Sequence, residues 1–226
     1  MKQAADLSRE YLQKFLQFSG KSLGYSPIVL GGWAVFAFTK KEQSVDVDVL
    51  VKSQKAVEKL KPFFEENDFK LDESNPKAPA FEKMLEAPQV LGGIKIESII
   101  FDVITLKEPN VLHENKRIGI PWKLSFQYNK IVSLGEAKMF VPSPELLLAY
   151  KAKAFLDRRY DKFKFLEHMA HKKVWIARKD FKIEKDKRDI KNLLATGKIN
   201  PEKLEQILNK TGFKKLYDGA LKDILK

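Results

Sequence analysis

From Val45 to Val51 the chain reads Val-Asp-Val-Asp-Val-Leu-Val. Strict alternation of β-branched and acidic residues predicts a strand, because β-branched side chains suit a pleated, half-buried surface. In a strand, Asp46 and Asp48 share one face while Val45, Val47, Val49 and Val51 share the other. Two carboxylates side by side repel, and each raises the pKa of its neighbour unless a cation lies between them. Hard divalent ions such as Mg²⁺ or Mn²⁺ are the counterweight that oxygen ligands favour. The plainer alternative is that both aspartates lie at a solvated end of a sheet. A third isolated acid, Asp102, stands in Ser98–Thr105 with two apolar residues on each side. If the two strands are neighbours, the three carboxylates can hold metal ions about a transferring phosphoryl group. Glu97 has the opposite parity on that segment and is the weaker candidate.

Cysteine is absent, which excludes disulfides, thiolate zinc sites and a cysteine nucleophile. The uncharged, largely apolar stretch Tyr25–Thr39 is broken by Pro27, Gly31 and Gly32 and is too short to span a bilayer. No membrane partner is expected. The N-terminus has no continuous apolar stretch ahead of a small-residue cleavage site, so a cytoplasmic protein is expected.

The pattern predicts an opening amphipathic helix over residues 5–19, with Leu7, Tyr11, Phe15 and Phe18 inward. Ile28-Val29-Leu30 reads as a short strand running through Gly31 and Gly32 into a compact apolar helix, Trp33–Phe38. A further helix is expected from an N-cap at Ser53 to Glu66. Strands are expected at Phe69–Leu71, Phe81–Leu85, Ile94–Thr105, Ile118–Leu124 and Met139–Val141, with a loop over residues 72–80. Past Pro142 helical periodicity takes over, starting at Ser143-Pro144-Glu145. The expected fold class is therefore α/β (α+β): a mixed β-sheet with flanking helices over residues 1–142, then a helical bundle over residues 143–226.

Charge follows the same division. Lys and Arg number 42 against 30 Asp and Glu, a net charge of +12. Residues 143–226 hold 22 basic residues against 12 acidic ones, whereas residues 1–142 hold 20 against 18. A basic second half suits a polyanion such as a nucleoside triphosphate or RNA. Within its first helix, Leu147, Lys151, Ala154 and Arg158 share one face, so two cations enter an apolar stripe. Asp186 projects between Ile190 and Leu193 with Asp189 beside it. An ion pair tying two helices together, such as Arg158 with Asp186 or Asp189, is one explanation. Lys153 is close to Lys151 but projects elsewhere. His168 and His171 are three apart in a Lys-rich stretch that lacks a completing acid, so a zinc site is disfavoured.

Gly31 and Gly32 follow a strand and open a helix, where free amides and the helix dipole favour a phosphate. With Leu30 before them and thirteen residues from Gly32 to Asp46, the run Leu30-Gly31-Gly32…Asp46-Val47-Asp48-Val49 resembles the signature of the nucleotidyltransferase superfamily. The resemblance implies that Gly31 and Gly32 hold the triphosphate and that Asp46, Asp48 and Asp102 bind Mg²⁺ or Mn²⁺. Pro144 to Arg158, followed by Lys185, Asp186 and Asp189, is similar to the AbiEii-type branch, which includes toxins of toxin–antitoxin systems. That likeness implies a catalytic domain over residues 1–142 and a basic helical domain over residues 143–226. It gives Lys151 and Arg158 nucleotide contacts and makes Asp186 a functional acid. The implied reaction moves a nucleoside monophosphate from an NTP to an acceptor hydroxyl, with tRNA or other RNA as candidate acceptor and an antitoxin protein as candidate partner. Two rivals stand beside it: an inactive RNA-binding module on the same fold, and a transferase acting on a small molecule or a protein.

Overall fold

The strand that carries Asp48 lies in the interior of the sheet of a computed structural model, which describes residues 3–72, 79–91, 94–106, 119–168 and 172–226. In chain order the elements are α1 (Ala4–Leu23), β1 (Ile28–Val29), α2 (Gly31–Thr39), β2 (Val47–Val51), α3 (Gln54–Glu66), β3 (Lys70–Asp72), β4 (Ala80–Leu91) and β5 (Ile94–Thr105). Then come a one-turn helix α4 (Leu124–Gln127), β6 (Asn129–Leu134), β7 (Ala137–Pro142), α5 (Pro144–His168), α6 (Lys172–Leu194), α7 (Pro201–Thr211) and α8 (Lys214–Leu225). Among the described residues the strands form one seven-stranded sheet in the order β3-β4-β5-β2-β1-β7-β6. It is mixed: β2 is parallel to β5 and β1 to β7, and the remaining neighbours are antiparallel. The expected α/β class, a mixed sheet with flanking helices and a helical second part, is the architecture observed.

The chain divides into two compact units. One takes the described residues of 1–108 and 125–142, the other those of 109–124 and 143–226.

In the first unit an aromatic core explains why α1 and α3 pack on one face of the sheet. Phe101, fully buried on β5, meets Phe15 of α1 at 5.4 Å, Phe64 of α3 at 5.5 Å and Phe69 at 5.3 Å between ring centroids. Phe64 stacks on Phe81 of β4 at 3.8 Å. Since Phe81 and Phe101 are register partners, one α3 side chain clamps two strands. Edge and offset ring contacts of this kind add to the area they bury. The indole N–H of Trp33, on α2, donates to the buried Ser8 hydroxyl of α1 at 3.3 Å, which satisfies a polar group the core would otherwise strand.

In the second unit α5 is the central helix. Its Leu146, Leu147, Leu148, Ala152 and Phe155 are buried, as are Ile190 and Leu193 of α6, Ile207 of α7 and Ile224 of α8. Asn200 caps α7 by accepting from the Lys203 amide, and its own N–H donates to Glu145 at the start of α5 at 3.1 Å. Among the described residues no helix is long and apolar enough to cross a membrane.

Several expectations are corrected. The buried stripe of α1 is Ala4, Ser8, Leu12, Phe15, Leu16 and Ser19, so Leu7, Tyr11 and Phe18 flank the core rather than centre on it. Residues 119–123 form no strand and Leu124 begins α4, in keeping with Pro121 removing a backbone donor; Ile118 lies outside the described residues. Strand β6 went unforeseen because it is an edge strand whose Asn129, Lys130 and Ser133 blur the apolar alternation. Most of the expected loop at residues 72–80 also lies outside the described residues.

Phe101→Ala is expected to lower unfolding stability by about 3–5 kcal/mol, the range for a buried aromatic with many contacts. Val90→Ala, on a residue 75% exposed, is expected to change it by less than about 0.5 kcal/mol. Urea unfolding followed by circular dichroism measures both.

Candidate active site

The short β1 ends at Val29, paired with Val49 of β2, and the next residue keeps the ladder going: the Leu30 N–H donates to the Asp48 carbonyl at 2.8 Å. The chain then turns abruptly into α2. Gly31 takes φ +57°, in the left-handed region where glycine carries little penalty. A second constraint acts there as well. A Cβ on Gly31 would stand 1.8 Å from Asp48 Oδ2 and 2.8 Å from its Cγ, so the carboxylate fills the space a side chain would need. Two independent demands, dihedral and steric, therefore select glycine at position 31. The first-turn amides of Gly31, Gly32 and Trp33 have no partner one turn back, and the first turn contains no acid and no side-chain cap. This helix start, next to a carboxylate, offers free N–H donors and the positive end of a dipole.

Asp48 and Asp102 are register partners on the parallel strands β2 and β5. They share a face at the roughly 4.8 Å spacing of neighbouring strands. Ala80 of β4 is the next residue across, small enough to leave that side open. Asp46 departs from expectation: β2 begins at Val47, and Asp46 sits in the bend ahead of it. Two residues from Asp48, it is exposed where Asp48 is half-buried and Leu50 fully buried, so polarity falls along this face from solvent to core. Glu97, also on β5, is exposed and has the opposite parity. Among the described residues no three His, Cys, Asp or Glu side chains make a ready metal cage. Mg²⁺ does not require one, because it commonly keeps several waters and binds one or two carboxylates together with substrate phosphates. Like charges directly opposite on neighbouring strands destabilise a sheet, and a divalent cation at Asp48 and Asp102 offsets that. The donor set therefore fits such an ion.

In the second unit Lys151, 7% exposed, lies 2.7 Å from Asp189 and 3.4 Å from Asp186, and Asp186 also pairs with Arg158. Burial alone would push the Lys151 ammonium down, but the two aspartates outweigh it and hold the group above its ordinary value of 10.5. All four residues are thus engaged with one another between α5 and α6, the ion-pair arrangement that helical projection left open. Lys153 takes a separate partner, Asp157 on the next turn of α5 at 2.7 Å, and both are buried. The signal for that pair was the i, i+4 spacing of Lys and Asp. Lys185 is half-buried on α6. The side chains of His168 and His171 lie outside the described residues.

No family model and no curated protein matches the chain. Among solved structures it is similar to an antigenic nucleotidyltransferase-like protein from Paracoccidioides brasiliensis, with 17% identity, 97% of this chain and 92% of that one covered, and a TM-score of 0.46. It is also similar to a protein from H. pylori provisionally assigned as a nucleotidyltransferase, with 11% identity, 99% and 97% coverage, and a TM-score of 0.41.

Gly31→Ala is expected to cost about 1–2 kcal/mol for the left-handed dihedral and to displace the Asp48 carboxylate, read as a lower unfolding midpoint and a shifted Asp48 side-chain resonance. Lys151→Met leaves Asp186 and Asp189 short of a buried cation and is expected to cost about 3–5 kcal/mol. Because the folded-state pKa of Lys151 is raised, its contribution is fully present below the ordinary value of 10.5 and is lost only as pH rises through the folded-state value. The wild-type stability advantage over Lys151→Met should accordingly hold constant from pH 6 to 9 and shrink above pH 10.5.

Proposed function

We propose that the chain is a metal-dependent nucleotidyltransferase that moves a nucleoside monophosphate from an NTP to an acceptor hydroxyl. The observation that carries this reading is the placing of Gly31 against Asp48 with Asp102 directly across. It puts phosphate-seeking amides and cation-seeking carboxylates at one end of one sheet. Neither half would be distinctive alone, since a glycine turn and a pair of aspartates are each common.

In this reading the amides of Gly31 and Gly32, at the positive end of α2, bind triphosphate oxygens. Asp48 and Asp102, with Asp46 at the exposed end of the same face, would hold Mg²⁺ or Mn²⁺, which when bound draws charge from the α-phosphate and the leaving pyrophosphate. Asp102, opposite Asp48 on β5, is the carboxylate assigned to take the proton of the acceptor hydroxyl. The likeness to the AbiEii-type branch assigns Lys151 and Arg158 to nucleotide phosphates; within the second unit Asp186 pairs with both cations and Asp189 with Lys151.

Asp46→Asn combined with Asp48→Asn keeps shape while removing charge. With α-³²P-labelled NTPs and Mg²⁺, offered protein, RNA and small hydroxyl compounds, the wild type is expected to transfer label and the double variant to transfer at least 100-fold less, with an unchanged circular dichroism spectrum. A wild-type protein that labels none of these acceptors, or a double variant as fast as the wild type, refutes the reading.

A further inference from the structure

The ribbon made by β4 and β5 is longer than the sheet that holds it. β5 has β2 as a neighbour only from Phe101 to Thr105, and β4 has β3 only from Ala80 to Glu82. From the pair Lys83 and Ile99 outward to the pair Leu91 and Ile94, each of the two strands has only the other as a strand partner among the described residues. The overhang takes in six residues of β5, Ile94 to Ile99, or about 20 Å at strand spacing. Because β2 is parallel to β5 and begins at Val47 opposite Phe101, the overhang extends past the start of β2. That is the end of the sheet where Asp46, Asp48 and Gly31 stand.

The ribbon touches α1, whose Ala4 N–H donates to the Gln89 side chain at 2.9 Å, but among the described residues no third strand covers this length of it. The face that carries Asp102 continues along β5 as Ile100, Ser98 and Ile96, all half-buried, and across to Met84, which is 64% exposed. The ribbon is also not basic: residues 80–100 hold two Lys and three Glu in a chain of net charge +12. RNA acceptors are held mainly through phosphates that need Lys and Arg, and this arm would repel them. A polypeptide needs the opposite chemistry. An extended chain can add to a free strand edge through main-chain hydrogen bonds, with alternate side chains resting on an apolar face, and methionine adapts to varied partners.

We propose that this arm docks the acceptor, and that the acceptor is a polypeptide laid in extended form along the free edge of β5. The inference rests on the nucleotidyltransferase reading above and names its substrate class. A strand added there occupies the lane of β2 and runs toward Asp46 and Asp48, bringing a Ser, Thr or Tyr hydroxyl to Asp102. The hydroxyl oxygen bonds to the α-phosphorus as the bond from that phosphorus to the bridging oxygen breaks. Pyrophosphate leaves with the electron pair, and the hydroxyl proton passes to Asp102 and then to solvent. The product is a nucleoside monophosphate ester of the side chain.

The test offers the full chain, Mg²⁺ and each α-³²P-labelled NTP to two separate acceptors: an array of synthetic ten-residue peptides with alternating apolar residues and one Ser, Thr or Tyr, and an unfractionated tRNA pool. Two variants report on the arm. Glu97→Pro removes a backbone donor on β5 between Ser98 and Ile96, where the register with β4 shifts between Met84 and Gln89, and Ile96→Lys charges the apolar face. Binding of a fluorescent NTP analogue is measured beside them. The expected result is label on peptides and not on tRNA, cut at least tenfold by each variant while analogue binding matches the wild type. Label on tRNA instead of peptides, or peptides labelled equally by wild type and both variants, overturns the arm's role and leaves the nucleotidyltransferase reading standing. Analogue binding without label on either acceptor overturns it too. Neither label nor binding refutes both.

Discussion

The Asp48 carboxylate occupies the space that a Cβ on Gly31 would need, and this contact ties together the parts of the first unit that form the candidate site. It binds the turn out of β1 to the middle of β2, so the start of α2 cannot drift from the carboxylates. The ladder bond from Leu30 to Asp48 sets the height of that turn, and the positive φ of Gly31 sets its direction. A parallel β5 alongside β2 then places Asp102 without any loop having to carry it. Asp48 and Asp102 thus stand on strands whose positions are set by the aromatic core on the other face of the sheet, which is where precise geometry is cheapest to hold.

How far the sequence discloses this depends on the range of the interaction concerned. Strand β2 and helix α3 are legible because their patterns are local and strong: Val at every second position in one, Val57, Leu60, Phe63 and Phe64 in the other. Gly31, Asp48 and Asp102 are likewise legible as residue types out of keeping with their surroundings. Their register is not. Whether Asp102 lies opposite Asp48 or two residues away is set by how Phe101 packs against Phe15 and Phe64, a contact between segments far apart in the chain. Asp46 illustrates the same limit, since an alternating pattern cannot announce that the strand starts two residues later. The overhang of the β4–β5 ribbon is invisible in the sequence for a related reason: two long strand patterns do not reveal which parts of them lack a third strand.

The second unit places its ions where a core of leucines would be simpler. Burying Lys151 with Asp186 and Asp189 brings little net stability compared with apolar packing, because desolvation offsets most of the attraction. What such a group does well is to choose among alternatives: a slide of α6 along α5 by one residue would separate the ammonium from its acids. The Lys153 and Asp157 pair, internal to α5, has no such power over register. The two buried lysines are thus not equivalent, although they stand two residues apart.

The division of the chain has a consequence for anyone wishing to separate its halves. Residues 119–124 belong with the helical unit, yet they precede β6 and β7, which belong with the sheet. Trp122 lies 5.0 Å from the ring of Tyr150, and the Tyr150 hydroxyl donates to the Pro121 carbonyl at 3.4 Å. The polypeptide is braided, so scission after Pro142 would not yield two intact pieces: the helical fragment would lose the segment packed on Tyr150, and the sheet fragment would carry that segment without the helix it packs on.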